Sequence, residues 1–420
     1  MKTPELLSPA GTLKNLRYAF AYGADAVYAG QPRYSLRVRQ NDFNQLDNLA
    51  TGIQVAHTQG KKFYLTANLL PHNAKLKTFL ADLTPIIAMQ PDALIMADPG
   101  LIMLVRERWP DLPIHLSVQA NTVNYASVRF WQQLGLTRII LSRELSLEEI
   151  AEIRQVCPEI ELEVFIHGAL CIAYSGRCLL SGYLNHRDAN QGTCTNACRW
   201  QYQVHSTTTA ANEIYLLEET QRPGEYLPIV EDEHGTYIMN SKDLRAVQHV
   251  NRLAEMGIDS LKIEGRTKSH YYVARTTQVY RQAIDNAAAG KTFDTNLLVE
   301  LDKLANRGYT EGFYRRHAHE EYQNYEVGHS RSQQQQFVGE VLSRDEKTGL
   351  VEVAVKNRFE LGEPLELMTP HGNFGFTLEH LENQKGESLS VAPGSGYTVR
   401  VGIPGLEQSN YGLLLKNLVF

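Results

Sequence analysis

The chain has 420 residues, 43% hydrophobic and 21% charged, enough to bury a large core and to form two or three domains. A formal net charge of −6 argues against non-specific coating of nucleic acid, which relies on a broad basic face. No apolar run approaches the ~20 residues a membrane span needs, and the opening MKTPELLSPAG has no long apolar core of a secretion signal. A soluble, cytoplasmic chain with reduced thiols is therefore expected.

From the N-terminus, short apolar runs alternate with amphipathic helical stretches, the pattern of repeated βα units. Strands are predicted at Glu5 to Ala10, Ala26 to Gly30, Lys62 to Leu69, Ala93 to Asp98, Ile114 to Gln119, Arg138 to Arg143, Glu161 to Gly168 and Ser260 to Gly265. Several are continuously apolar, as strands covered on both faces should be. Thr12 can cap a helix whose Leu13, Leu16 and Phe20 share a face before Gly23 ends it, and Ser146 with Glu149 forms a capping box. Eight such units predict an α/β fold of TIM-like (β/α)8 type.

In such barrels the chemistry sits at the C-terminal ends of the strands, and polar residues collect there: Ser8, Tyr28, Asn68, Asp98, Gln119, Asn121, Ser142, Arg143, Glu144, His167, Glu264 and Arg266. Taken singly, strand-end Asn and Ser are often turn formers and a lone His is often structural. The segment QPRYSLRVRQ, with Arg33, Arg37 and Arg39 around Tyr34, reads equally as a phosphate contact or as a solvated loop. A long insertion from about residue 169 to 259 separates the last two strands, and insertions of that size after a barrel strand are usually functional. Within it, Asn240 and Asp243 read as a helix cap and a first-turn acid. Past the eighth strand, Lys262, Glu264, Arg266, Lys268 and Arg275 form a basic cluster around a carboxylate, suited to an anionic substrate or to a surface ion-pair network. The barrel with its insertion is expected over residues 1–290 and a helical, polar bridge over 291–336. Short alternating strands then predict a small antiparallel β-barrel domain over 337–420.

Four of the five cysteines, Cys171, Cys178, Cys194 and Cys198, lie in the insertion at intervals of six, fifteen and three residues. Four thiolates complete either a tetrahedral zinc site or an iron–sulfur cubane, and the spacing lacks the paired CxxC knuckles of structural zinc. Unrelated buried cysteines remain the third reading. Cys157, before Pro158, reads as a core residue. No HExxH, GxSxG, GxxxxGK[ST] or dinucleotide fingerprint is present, so hydrolysis, nucleotide-driven and nicotinamide chemistry lack support.

The segments PELLSPAGTLKNLRYAFAYGADAVYAG, FIHGALCIAYSGRCLLSG, MNSKDL and LKIEGRTKSHYY resemble the collagenase-like peptidase U-32 family, in order and over nearly the whole chain. The resemblance implies a [4Fe–4S] cluster on Cys171, Cys178, Cys194 and Cys198, with Cys198 the ligand whose place varies most among members. It further implies an oxygen-independent, prephenate-dependent hydroxylation of the wobble uridine of tRNA to 5-hydroxyuridine, the first step towards 5-carboxymethoxyuridine. Strand-end position, rather than a family motif, nominates Arg143, Arg266 and Lys268 to grip prephenate carboxylates or RNA phosphate. By the same argument His167 and Glu264 are nominated for proton transfer, and Tyr28 and Tyr34 to stack on an unstacked uridine. The acidic charge sits uneasily with tRNA binding, so an electron-transfer or accessory protein is an expected partner. The competing readings are a metal-dependent peptidase, as the family name says, and a non-catalytic RNA-binding protein with structural zinc.

Overall fold

The computed structural model describes residues 2–30, 33–36, 41–170, 242–306, 308–315, 334–406 and 410–418, together with three short strands at 215–218, 226–232 and 235–237. The first half alternates strictly: β1 (Glu5–Pro9), α1 (Leu13–Ala21), β2 (Ala26–Gly30), α2 (Leu46–Thr58), β3 (Lys62–Ala67), α3 (Asn73–Ile87), β4 (Ala93–Met96), α4 (Pro99–Arg108), β5 (Ile114–Leu116), α5 (Tyr125–Gln133), β6 (Arg138–Ile140), α6 (Leu147–Val156) and β7 (Glu161–Ala169). Local signals start the helices as predicted. Thr12 accepts from the Asn15 amide at the head of α1, and the Ser146–Glu149 capping box is complete at α6.

Strands β8 (Tyr215–Glu218), β9 (Tyr226–Asp232) and β10 (Gly235–Tyr237) form a small antiparallel sheet. The chain then returns through β11 (Asp243–Arg245), α7 (Val250–Glu255) and β12 (Ser260–Ile263) to the long α8 (His270–Ala288). β12 pairs in parallel with both β1 and β7, so eight strands close into the predicted barrel. Asp243 belongs to no helix: it lies in β11, opposite Ala169 on β7, so the capping reading of that residue is corrected. Asn240 lies outside the described residues. α9 (Asn296–Asp302) and β13 (Tyr309–Thr310) follow, with β13 extending the sheet beside β11.

The barrel interior is charged. Glu163 on β7, wholly buried, accepts from Lys262 Nζ on β12 at 2.8 Å and from Arg138 Nη1 on β6 at 3.1 Å. Arg138 also donates to Glu5 at 2.6 Å and to Glu161 at 2.8 Å, while the Tyr64 hydroxyl donates to Glu5 at 2.8 Å. The His115 ring packs edge-on against Tyr64, and burial together with Arg138 and Lys262 holds it well below the ordinary histidine range, hence neutral.

The C-terminal domain is a seven-stranded antiparallel sheet in the order β18-β17-β22-β14-β15-β21-β19: β14 (Gln335–Arg344), β15 (Val351–Val355), β17 (Pro364–Thr369), β18 (Gly372–Thr377), β19 (Leu381–Asn383), β21 (Thr398–Val401) and β22 (Leu413–Asn417). A two-stranded ribbon, β16 (Phe359–Glu360) with β20 (Val391–Ala392), completes it. Strand alternation divides its apolar residues: Leu365, Leu367 and Leu414 join the domain's own core, whereas Met368, Leu413 and Leu415 join the barrel's. Polar anchors reinforce the docking on the barrel flank. Tyr22 donates to the Met368 carbonyl at 3.1 Å, Tyr18 to Glu340 at 3.1 Å, and the fully buried Arg275 to Glu366 at 2.8 Å and to Glu300. Among the described residues no helix is long and apolar enough to cross a membrane.

Burial alone would raise the Glu5 carboxyl, but Arg138 and the Tyr64 hydroxyl outweigh it and hold the group below its ordinary value of 4.5. Its stabilising contribution is therefore complete above that value and is lost as the pH falls through the lower folded-state value. Glu5→Gln should lower stability at neutral pH by about 3 kcal/mol. In denaturant melts the gap from wild type should narrow as the pH drops below 4.5; a gap independent of pH would contradict the network.

Candidate active site at the barrel mouth

At the C-terminal end of the barrel strands lies a cavity of about 50 Å³, lined by Tyr28, Leu36, Thr66, Asn68, Ile95, Ser117, Val118, Gln119, Ile140, Arg143, Phe165, Lys262, Glu264 and Arg266. Every barrel strand but β1 brings a side chain to it directly or through the loop that follows, as parallel strands closing into a barrel require. Its predicted members Tyr28, Asn68, Gln119, Arg143, Glu264 and Arg266 are all present. Lys262, expected in the basic cluster, joins them, and Thr66 and Ser117 are further lining residues that the sequence does not mark. Each stands two positions before a predicted rim residue, and the two-residue period of a strand places it on the same face.

Two arginines organise the rim. Arg143 donates to Glu264 Oε2 at 3.2 Å and to the Ala169 carbonyl at 3.1 Å, with its guanidinium carbon 3.9 Å from the centre of the Phe165 ring. Arg266 donates to Ser35 Oγ at 2.7 Å and to the Leu36 carbonyl at 2.5 Å, clamping the loop after β2 over the cavity. That loop is held from its other side by Asn68, which accepts from the Leu36 amide and donates to Ser117 Oγ. Below, Lys262 Nζ sits 4.3 Å from the centre of the Tyr28 ring and 5.4 Å from that of Phe165. Burial lowers its ammonium from the ordinary lysine value, partly offset by Glu163.

The remaining nominated residues lie elsewhere. His167 is buried among the rings of Tyr272, Tyr280 and Tyr309, within 3.3 Å of the Tyr280 hydroxyl, and does not line the cavity. Burial lowers it to about 3, so the ring is neutral near pH 7. The β7–β12 register shifts so that Phe165 pairs with Lys262 but His167 with Ile263. This bulge turns His167 away from the barrel interior. Tyr34 is fully buried; its hydroxyl donates to Asp82 at 2.6 Å and its ring packs edge-on against Phe79, so it presents no stacking face. Tyr28 does line the cavity, with its hydroxyl donating to the Ile263 carbonyl at 2.9 Å. Lys268 is half-buried with its ammonium 5.4 Å from the Tyr272 ring centre, outside the lining. Arg33 pairs with Asp82 at 2.7 Å, while Arg37 and Arg39 lie outside the described residues.

Cys171, Cys178, Cys194 and Cys198 also lie outside the described residues. The segment that carries them is nonetheless fixed at both ends beside the mouth. It leaves β7 after Ala169, whose carbonyl Arg143 holds, and returns at β11, where Asp243 is opposite Ala169. Among the described residues no group of three or more His, Cys, Asp or Glu is placed to hold a metal ion. Cys157 is buried at the end of α6, as its core reading predicted.

Gly30 is required by the Arg266 clamp, because a Cβ there would lie 2.5 Å from Arg266 Nη1 and 2.8 Å from Ser35 Oγ. Gly30→Ala should therefore release the loop, read as faster amide hydrogen exchange over residues 33–36. Unchanged protection there would show that the clamp does not hold it.

The family model for peptidase family U32 matches residues 11–324, and that for the U32 C-terminal domain matches residues 333–416. The chain is 64% identical to the tRNA hydroxylation protein P of Escherichia coli, over 99% of this chain and 97% of that one. It is 60% identical to the protein of the same name in Haemophilus influenzae, over 99% and 96% respectively. A third relative, the 23S rRNA 5-hydroxycytidine C2501 synthase of Escherichia coli, is 33% identical over 74% of this chain and 45% of its own length. With both models matched in order along nearly the whole sequence, the chain belongs to peptidase family U32.

Proposed function

We propose that this chain is an RNA-modifying enzyme that hydroxylates C5 of the wobble uridine of tRNA without molecular oxygen and with prephenate as co-substrate, C5–H becoming C5–OH as the two electrons released pass to an oxidised electron-transfer partner. One observation carries the reading: the cysteine-bearing segment is fixed at both ends beside a mouth cavity that combines Arg143, Lys262 and Arg266 with Glu264. Relatives named for tRNA hydroxylation and for making 5-hydroxycytidine in 23S rRNA support an RNA base as the substrate.

Cys171, Cys178, Cys194 and Cys198 offer four thiolates, a donor set that fits a [4Fe–4S] cluster, and we assign the cluster to them. Such a cluster, when bound, supplies electron transfer or Lewis acidity. The chain's own residues do the rest. Arg143 fixes the Glu264 carboxylate at the cavity wall, where Glu264 is placed to take or give a proton at the reacting base. Arg266 holds the Ser35–Leu36 loop so that Leu36 forms part of the cavity wall. Tyr28 lines the cavity below the rim at which an unstacked uridine would be presented. The reading carries with it a cytoplasmic location, and a separate electron-transfer or accessory protein as partner.

The test is mass spectrometry of tRNA nucleosides from cells lacking the gene and complemented with wild type or Cys171→Ala. Nucleosides derived from 5-hydroxyuridine should vanish and return with the wild type alone. Unchanged nucleosides in every strain, with no second enzyme of the same activity present, would refute the proposal. Glu264→Gln, purified without oxygen and retaining about four irons per chain as wild type should, is expected to lower product formation by about 100-fold; full activity would remove Glu264 from the mechanism.

A further inference from the structure

Three buried groups on the cavity wall have hydrogen-bonding capacity that the fold leaves unused. Thr66 is 2% exposed, and its hydroxyl has no partner among the described residues. Gln119 is 8% exposed; its backbone is engaged by Ser117 and Asn121, but its carboxamide makes no hydrogen bond among the described residues. Lys262 is 3% exposed and among the described residues donates to Glu163 alone, although an ammonium has three donors. Buried polar groups are normally satisfied, so the unpaired Thr66 hydroxyl, with spare donors on Lys262 and Gln119 beside it on one cavity, points to a ligand that completes them.

The chemistry of the ligand follows from what is unused. An ammonium, a hydroxyl and an amide can all donate at once, which suits an acceptor-only group such as a carboxylate. Charge points the same way. Three cations, Arg143, Lys262 and Arg266, line the cavity with one carboxylate, Glu264, whereas Glu5, Glu161 and Glu163 lie in the network outside its lining. The volume of about 50 Å³ also decides against a whole nucleotide. At roughly 10–15 Å³ for one water on this measure, it admits a carboxylate with its adjoining carbons.

We infer that Lys262, Thr66 and Gln119 form the floor of a small-carboxylate site, their Nζ, Oγ1 and Nε2 atoms donating to its oxygens. The inference rests on the proposed function and deepens it: one carboxylate end of the co-substrate occupies the cavity, and the uridine approaches at the rim above.

Thr66→Val is the informative variant, because it removes a hydroxyl without removing any hydrogen bond of the fold. Isothermal titration of the purified full chain with prephenate, in the absence of RNA, should give binding to wild type and about tenfold weaker binding to Thr66→Val. The melting temperature of that variant should be unchanged or higher. Lys262→Met should lose detectable binding. Equal affinity of wild type and Thr66→Val, or no binding of prephenate to wild type, would overturn the inference. So would a Thr66→Val defect seen with uridine monophosphate and not with prephenate. A chain that binds prephenate through Thr66 while tRNA nucleosides stay unchanged in the gene-deletion comparison would keep this site and remove the tRNA reading.

Discussion

The carboxylate of Glu163 lies in the centre of the barrel between Arg138 and Lys262, and the geometry of the mouth depends on it. A buried ion pair of this kind is not a large source of net stability, because desolvation offsets most of the Coulombic gain. Its consequence here is positional. With one donor fixed on Glu163, Lys262 is pinned against the rings of Tyr28 and Phe165, and those rings in turn form walls of the cavity. Arg143 covers Phe165 and Arg266 approaches Tyr28, so each aromatic wall is held by two cations. The result is a preorganised, donor-rich surface that needs no rearrangement to meet an anion.

The same strand that carries Glu163 carries the cysteine segment. Cys171 lies eight positions after Glu163 along the chain, and between them Gly168 adopts a φ of +105° where a Cβ would meet the Glu264 carbonyl at 2.5 Å. That close approach lets β7 and the loop after β12 meet at the rim, with the Glu264 amide donating to the His167 carbonyl. The C-terminal domain docks on the outer face of α1 and α8 rather than at the mouth, so its apolar and ionic contacts leave the cavity lining entirely to the barrel. Division of labour between a rigid barrel and the loops at its strand ends is the usual solution for barrel enzymes.

Much of this was legible in the sequence because each local signal is strong. All eight barrel strands start where the apolar runs start, and Thr12 and Ser146 cap as their residue types dictate. Rim residues were found where strands end. What periodicity could not supply was the inward or outward phase of side chains on strands buried on both faces, since neither face is marked by polarity. Thr66 and Ser117 are therefore unmarked in the sequence, whereas Lys262 is legible only as part of a basic cluster. His167 fails for a sharper reason: a bulge beside Ile263 reverses the phase of β7, and no residue type in the sequence announces it. Tyr34 looked like a surface aromatic between arginines, but its partner Asp82 is distant in sequence, and such a pairing leaves no local trace. Asp243 was read as a helix residue because a three-residue strand is too short to show alternation.

The central claim is that the cationic floor of the barrel mouth takes part in the modification of tRNA. Its most direct test is the tRNA nucleoside composition of cells whose only copy carries Lys262→Met, at matched protein level and iron content. The account predicts that nucleosides derived from 5-hydroxyuridine are absent from these cells and present with the wild-type copy. A wild-type level of those nucleosides from the Lys262→Met chain would contradict it.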